Sequence, residues 1–441
     1  MGGGLLQLIA TGEQDQFLTG KPEITYFKSV YKRHSNFSLE SKYQTFSENV
    51  SFGTKCSSII SKKGDLLSGA TLHVKLGSLN KVNNDNSICV KDLNLDLKCP
   101  CSKCSRESTF SWVNSIGHAL IEYVELEIGD YIIDKQYGEW FEIWSELTLN
   151  YEKKKGFYEM IGKKDPKDFN ISSFYEDVEL LIPLNFWFCK NIGLSIPLIS
   201  ITSQEVKINI KFRKFTELWI SSNALTEPIA PEINANLLID YVYLDLDERE
   251  NFANESHYYL IEQLQYNGDY QYEKLSENPV INLHFFHPVK EIVWTMQRTD
   301  VLERSYSNNI NDNDFTYGND LFNFSNSLNH TDSNDIFDSA VFQFNGEDRF
   351  TKLSSKYFRL KQPYDYHTKI PNNLIYTYSF SLRPEDWHPS GTCNFSCYDN
   401  ARLTLYMKNK EVKSNYKIKI YAVNYNILVV TKGKVGLGFS C

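Results

Sequence analysis

The sequence predicts an all-β protein made of two tandem β-sandwiches, with a few short helices in the loops. Three observations predict it. Aromatic residues are abundant, with 28 Tyr and 28 Phe against only 4 Met, a bias that suits pleated, half-buried surfaces better than helices. Short runs that alternate apolar and polar residues recur along the chain, punctuated by Gly, Pro, Asn and Asp. The chain's 441 residues exceed what one ordinary core organises, so two domains of roughly 200 residues each are expected.

Composition narrows the function. A net charge of −9 argues against nucleic-acid binding, which needs clustered Lys and Arg to neutralise phosphates. No apolar run approaches the ~20 residues of a membrane-spanning helix. The start, MGGGLLQLIA, lacks a basic stretch and a cleavage site, so no signal peptide is expected. Gly2 does not read as a myristoylation site, because Leu6 stands where Ser or Thr is needed. Nine cysteines in such a chain are expected as reduced thiols, and the seven Asn-x-Ser/Thr matches as chance in an Asn-rich sequence.

Taken in order, residues 1–23 form a glycine-led arm with too few apolar residues to fold alone. Ile24–Tyr31 and Phe37–Phe46 alternate as strands, as do Ala70–Leu76 and His118–Gly129. Gly138–Asn150 is different: Trp140, Phe141, Trp144 and Leu147 recur at helical spacing and predict a short amphipathic helix facing the core. Lys81–Thr109 is a polar insert carrying Cys89, Cys99, Cys101 and Cys104. Four thiols at short spacing could hold a tetrahedral zinc, but Cys-x-Cys-x-x-Cys is not the paired Cys-x-x-Cys of common zinc modules, and a loop with free thiols is the simpler reading. Val178–Phe188 is an apolar run broken by Pro183, as at a buried strand or sheet corner. Cys189 follows it with no ordered His partner, so it is expected in the core and not as a nucleophile.

Gln204–Phe212 alternates cleanly, whereas Phe215–Asn236 loses periodicity and holds Pro228 and Pro231, which places a linker at 216–235. Leu237–Leu246 then opens the second half. Asp245 and Asp247 share one strand face and so invite a metal or acid/base reading, but Arg249 beside them favours a solvated or salt-bridged edge, before a short helical turn and the strand His257–Tyr266. His284 and His287 would point to opposite faces of an extended strand and cannot share an ion. Val289–Met296, Ala340–Asn345, Ile375–Leu382, Ala401–Met407 and Tyr416–Thr431 are further strands, and 305–335 is a long polar loop rich in Asn, Asp and Ser.

Between Leu382 and Ala401 lies a folded-back loop with two prolines and a glycine, expected to tuck Trp387 and Phe395 beneath itself. Its residues Pro389, Ser390, Gly391, Thr392, Asn394, Phe395 and Asp399 resemble the C-terminal motif of the major capsid proteins of nucleocytoplasmic large DNA viruses. Cys397 stands where that pattern has a basic residue. The runs GGGLLQL and TGKPEITYFKSVYKRHSNFSLES, LIPLNFWFCKNIGLSIPLISITSQEVKINIKFR, YVYLDLDERENFANESHYYLIEQ and VKEIVWTM are similar to the same family, so most of the chain outside the two polar inserts is covered.

Alternation alone does not choose between a jelly roll and another sandwich. The resemblance implies two eight-stranded jelly rolls: an arm at 1–23, a first roll at 24–215 with the insert 81–109, a linker at 216–235, and a second roll at 236–441 with the loop 305–335. It further implies a major capsid protein forming homotrimeric, pseudo-hexameric capsomers that tile the outer shell of a large icosahedral DNA virus, with the two inserts on the exposed crown. Expected partners are further copies of the chain in the trimer and in neighbouring capsomers, minor capsid and penton proteins, and a nearby internal viral membrane. No enzymatic activity, cofactor, small-molecule substrate or direct nucleic-acid contact is expected. The protein would reside in the virion after manufacture and assembly in the host cytoplasm. Two other readings stay open: a double jelly-roll scaffold that shapes a viral membrane during assembly, and a carbohydrate-binding β-sandwich. A glycosidase would need two facing carboxylates, and no such pair is identifiable.

Overall fold

A computed structural model of the chain describes residues 3–10, 12, 19–79, 110–166, 168–169, 176–221, 228–274, 276–302, 319–327, 334–408 and 411–439. It divides into two compact units, Met1–Phe37 and Ser38–Cys441. The first holds a short helix, Gly3–Ile9. Ile24–Tyr31, expected as a strand, is not one: a turn at 26–28 interrupts it, and the Phe27 N–H donates to Thr25 Oγ1 at 3.3 Å. Alternation marks a strand only where a neighbouring strand supplies the ladder.

The first half supplies β1 (Phe37–Gln44), β2 (Lys55–Ile59), β3 (Leu66–Leu76), β4 (Phe110–Trp112), β5 (Ile121–Ile128), β6 (Tyr131–Tyr137), β7 (Val178–Pro183), β8 (Val206–Phe212), β9 (Trp219–Ser221) and β10 (Ile233–Leu244). The second supplies β11 (His257–Tyr272), β12 (Val280–Asn282), β13 (Pro288–Arg298), β14 (Phe337–Phe344), β15 (Glu347–Asp348), β16 (Leu353–Ser354), β17 (Ile375–Ser379), β18 (Cys393–Asn394), β19 (Ala401–Met407), β20 (Tyr416–Thr431) and β21 (Lys434–Leu437). The strands assemble into sheets β1-β10-β3-β7 and β2-β8-β5-β6 in the first half, and β11-β20-β13-β17 and β12-β19-β14-β15 in the second. Strands β4 and β9 pair with each other, and β16, β18 and β21 pair with β14, β13 and β20 of the second half.

Number the eight strands of each half's two main sheets in chain order, and both halves read 1-8-3-6 in one sheet and 2-7-4-5 in the other. Two sandwiches thus repeat one antiparallel plan, the double jelly roll. The strand Ile233–Leu244 corrects the expected boundary. It pairs with β3, Leu237 opposite Leu72 and Ile239 opposite Ala70, so it completes the first sandwich and does not open the second. The expected linker at 216–235 therefore precedes the last strand of the first roll, and the chain crosses between rolls through the helix Leu246–Asn254.

Burial follows the pleat. In β3, Ala70, Leu72, Val74 and Leu76 are buried, while Thr71, His73 and Lys75 alternate with them on the outer side. Strand β13 is buried almost throughout because both its faces are covered: Ile292, Trp294 and Met296 enter the second core, and Val293 enters the first. The second core centres on Trp294, whose ring stacks on Tyr376 at 5.7 Å and meets Phe342 edge-on at 5.9 Å. Each such fully buried side chain contributes roughly 1.5–3 kcal/mol.

Several local expectations change. Residues Ile116–Leu120 form a helical turn before β5, so the strand begins after His118. Beyond Pro183 the chain turns into the helix Trp187–Lys190. The helix Gly138–Thr148 forms as its periodicity predicts. The loop 305–335 was expected on an exposed crown, but residues 319–327 within it are largely buried: Phe322 and Phe324 join the first core, and Asn319 Nδ2 donates to the carbonyls of Thr216 and Trp219 at 3.0 and 2.9 Å. Polar composition there serves side-chain hydrogen bonds that satisfy buried backbone, not solvent. The insert 81–109, with Cys89, Cys99, Cys101 and Cys104, lies outside the described residues.

Candidate functional site: the seam between the sandwiches

The helix Gly138–Thr148 is the hinge-pin of the molecule. It follows β6 directly because residue 138 is glycine: a Cβ there would lie 2.2 Å from both the His118 and Ile121 carbonyl oxygens. Its residues are buried from Gly138 through Leu147, since the first roll covers one side and the second covers the other. Trp140 stacks on Trp144 at 5.6 Å and also contacts Tyr421 of β20 at 5.4 Å. Tyr421 in turn stacks on Tyr266 at 4.9 Å, and Tyr266 meets Tyr137 at 5.0 Å. Five aromatic rings, three from the first roll and two from the second, thus form one cluster across the seam.

Buried charges surround that cluster. Lys419 of β20 donates to Glu139, and Lys369 donates to Glu146 at 2.7 Å. Lys190 of the first roll reaches Glu262 of the second at 3.2 Å and lies 4.4 Å over the Trp144 ring. Lys290, fully buried, donates to the same Glu262. Burial pulls Lys290 below the usual lysine range, while Glu262 is held below the usual carboxylate range because Lys190 and Lys290 outweigh its own burial. Asp134 Oδ1 accepts the Leu264 N–H at 3.0 Å, and burial pushes its carboxyl up to about 6 despite that bond. Behind the helix, Glu142 accepts from Ser115 at 2.7 Å, from Lys163 at 2.5 Å, and contacts His118 Nδ1 at 2.8 Å. Burial alone would raise Glu142, but Lys163 and His118 hold it well below the carboxylate range.

Such an arrangement locks geometry. Every carboxylate in the set faces a cation or an N–H, and the aromatic cluster fills the space between, so the two sandwiches meet in one orientation. Among the described residues, no group of three or more His, Cys, Asp or Glu is placed to hold a metal. Burial pushes the Cys189 thiol up to about 12, far from a nucleophile's range. Asp245 caps the helix Leu246–Asn254 by accepting the Glu248 N–H at 3.0 Å, and Arg249 pairs with Asp65 at 3.0 Å. The two histidines lie between β12 and β13 and not in the extended strand expected of them: His287 takes φ 65° and its ring lies 5.9 Å from Phe439, while the His284 N–H donates to Asn267 Oδ1 at 2.7 Å.

The loop 383–396 closes the second roll. Ser390 Oγ lies 2.6 Å from Ser381 Oγ and accepts the Arg383 N–H at 2.9 Å. Gly391 sits at φ 132°, where a Cβ would meet the Phe380 carbonyl oxygen at 2.8 Å. Asn394 Oδ1 accepts the Ser396 N–H at 3.1 Å, and Ser396 Oγ accepts the His287 N–H at 2.8 Å. Phe395 is buried among Phe285, Phe344 and Phe380, each at 5.4–5.9 Å. Trp387 departs from expectation: it is 48% exposed, whereas Phe395 of the same loop is buried in the second core. Pro389, Thr392 and Asp399 are exposed, and Asp399 lines a polar cleft with Asn345, Asn400 and Arg402.

The sequence carries no local signal for the seam. Its ion pairs join residues far apart in sequence, and no local pattern marks a lysine as destined for one distant glutamate.

Comparison with known proteins adds the biological context. A family model described as "Major capsid protein N-terminus" matches residues 25–245, and one described as "Large eukaryotic DNA virus major capsid protein" matches residues 248–436. The chain is 37% identical over 464 residues to the major capsid protein of Pyramimonas orientalis virus, and 33% identical over 541 residues to that of Phaeocystis pouchetii virus; each alignment covers 100% of both chains. Among solved structures, the PBCV-1 virus capsid superimposes with a TM-score of 0.76 at 28% identity, covering 95% of this chain and 100% of that one.

Proposed function

Because the chain belongs to the family of large eukaryotic DNA virus major capsid proteins, we propose that it builds the outer shell as homotrimeric, pseudo-hexameric capsomers. The family is structural and not enzymatic, its members form viral capsids, and the chain's work is self-association. The observation that carries the trimer is the repeated strand order: two like sandwiches per chain, taken three times, give six like edges, and six like edges pack a flat facet. The rigid seam supports this, since a flexible joint between rolls would blur the hexagonal outline. The acidic balance keeps free capsomers soluble until they lock together.

Neighbouring capsomers, minor capsid and penton proteins would occupy the edges, with an internal membrane beneath and assembly in the host cytoplasm. The motif Pro389, Ser390, Gly391, Thr392, Asn394, Phe395 and Asp399 would act as a structural joint that shapes one end of the second roll. Light scattering of the purified chain tests the core of the proposal. A mass of about three times the chain's 51.2 kDa is expected, with hexagonal outlines in electron micrographs, and a chain that stays monomeric at high concentration would refute it.

A further inference from the structure

Strands β6 and β11 each stand at the end of a sheet, β6 beside β5 in the first roll and β11 beside β20 in the second. An end strand leaves a row of backbone groups without a ladder partner. These two edges meet across the seam, and side chains join them in place of a ladder. Gln263 of β11 donates its amide to the Ile133 carbonyl of β6, and Asp134 of β6 accepts the Leu264 N–H of β11 at 3.0 Å. Each edge supplies one side chain and one backbone group to the stitch.

Asp134 is the odd member of that stitch. It is 4% exposed, and an asparagine oxygen could accept the same N–H without burying a charge. Its other contacts are the Gln136 amide, Nε2 to Oδ2 at 2.8 Å, and the backbone N–H of Lys135. The cations that face it are engaged elsewhere. Lys190, on the helix Trp187–Lys190, is paired with Glu262 of β11 at 3.2 Å, and Lys290 of β13 donates to that same Glu262. Lys135, on its own strand, is paired with Glu125 at 2.9 Å. Tyr137, also on β6, is pushed up by burial and stays neutral. Gln136 Oε1, buried and without a hydrogen-bond partner among the described residues, offers an acceptor for an added O–H.

We propose that Asp134 is a proton-binding site built into the joint, and that acidification tightens the seam between the two rolls. Protonation removes the buried charge and keeps the stitch, because each oxygen of the neutral acid retains a lone pair for its N–H. Burial carries the carboxyl from 3.8 to about 6, which puts the change in the weakly acidic range. The folded value lies above the unfolded one, so the stabilisation is complete below about pH 3.8 and is lost as pH rises through about 6. Glu262 does not mask the change, because Lys190 and Lys290 hold it below the carboxylate range and so charged where Asp134 titrates. The inference concerns the single chain and does not depend on how many copies assemble.

The test compares the native chain with Asp134→Asn, which keeps an oxygen for Leu264 and cannot ionise. Difference infrared spectra taken from about pH 7.5 to about pH 5 should show a carboxylic-acid carbonyl band with its midpoint near pH 6 that the variant lacks. Over the same range the native folded-to-unfolded ratio should gain about tenfold relative to the variant's. Hydrogen exchange, corrected for its intrinsic pH dependence, should slow on acidification in the peptide carrying Leu264, in the native chain alone. Lys190→Gln removes the facing cation, leaves Glu262 with Lys290, and should move the band's midpoint to higher pH; it decides the matter even where Asp134→Asn fails to fold. Parallel stability curves, a band that persists in Asp134→Asn, unchanged exchange at Leu264, or an unmoved midpoint in Lys190→Gln would each overturn the proposal.

Discussion

At Gly391 a single hydrogen atom in place of a side chain decides whether the loop can close. The residue's φ of 132° lies where L-residues with a Cβ are strained, and the Phe380 carbonyl oxygen would sit 2.8 Å from that Cβ. Gly391→Ala should cost roughly 1–3 kcal/mol of stability, read as a lower urea midpoint at unchanged slope. An unchanged midpoint would mean that the loop relaxes freely. Glu142 makes a sharper case. Removing it by Glu142→Ala leaves Lys163 with the Glu146 carboxylate and takes away the carboxylate that His118 Nδ1 contacts, in a site where both side chains are nearly inaccessible. A loss of roughly 3–5 kcal/mol is expected in the same denaturation assay. Gly391 was legible in the sequence as a turn glycine beside two prolines. Glu142 was not, because its helix periodicity advertised only Trp140, Phe141, Trp144 and Leu147, and its partners come from residues 21–27 positions away.

The strand is the element the sequence reports best, and the pairing is what it reports worst. Ala401–Met407 coincides with β19, whose alternation reflects one buried face, and Tyr416–Thr431 with β20, which alternates at its ends and is buried on both faces in its middle. Leu237–Leu246 alternates just as well, yet alternation does not say that its ladder partner is β3, some 170 residues earlier. The helix at Tyr357–Tyr366 went unread, since its three tyrosines and a proline carry little helical periodicity. That helix leads into His367, whose buried ring ties two elements together: Nε2 lies 3.2 Å from Glu291 of β13, and Nδ1 lies 3.1 Å from Glu385 of the closing loop. Burial alone would lower the imidazole, but the two carboxylates raise it from 6.5 to about 9. The folded value exceeds the unfolded one, so the protonated pair contributes fully below about pH 6.5 and is lost as pH rises through about 9. The contribution is on the order of 2–4 kcal/mol. Thermal midpoints followed from pH 6 to 9.5 should therefore fall more steeply for the native chain than for His367→Gln. Parallel curves would remove the histidine from the account.

Across the whole molecule, the seam makes two sandwiches behave as one body. The first core does not stop at the boundary between rolls: Ile261, Val293, Tyr421 and Val423 of the second roll belong to it, alongside the aromatic cluster and the buried ion pairs. Separate domains joined by a thin, wet interface would unfold one after the other, whereas an interface built like a core couples their unfolding. The native chain is accordingly expected to show a single calorimetric transition in which calorimetric and van't Hoff enthalpies agree. Tyr421 is the best place to cut the coupling, because its ring touches Tyr137, Trp140 and Tyr266 at once and belongs to the first core, not the second. Tyr421→Ala should cost roughly 3–5 kcal/mol, and it should split the transition in two as each roll begins to melt independently. Two transitions already present in the native chain would show that the seam is a contact and not a core, and the rigidity on which a flat, hexagonal building block depends would have to come from the assembled ring instead.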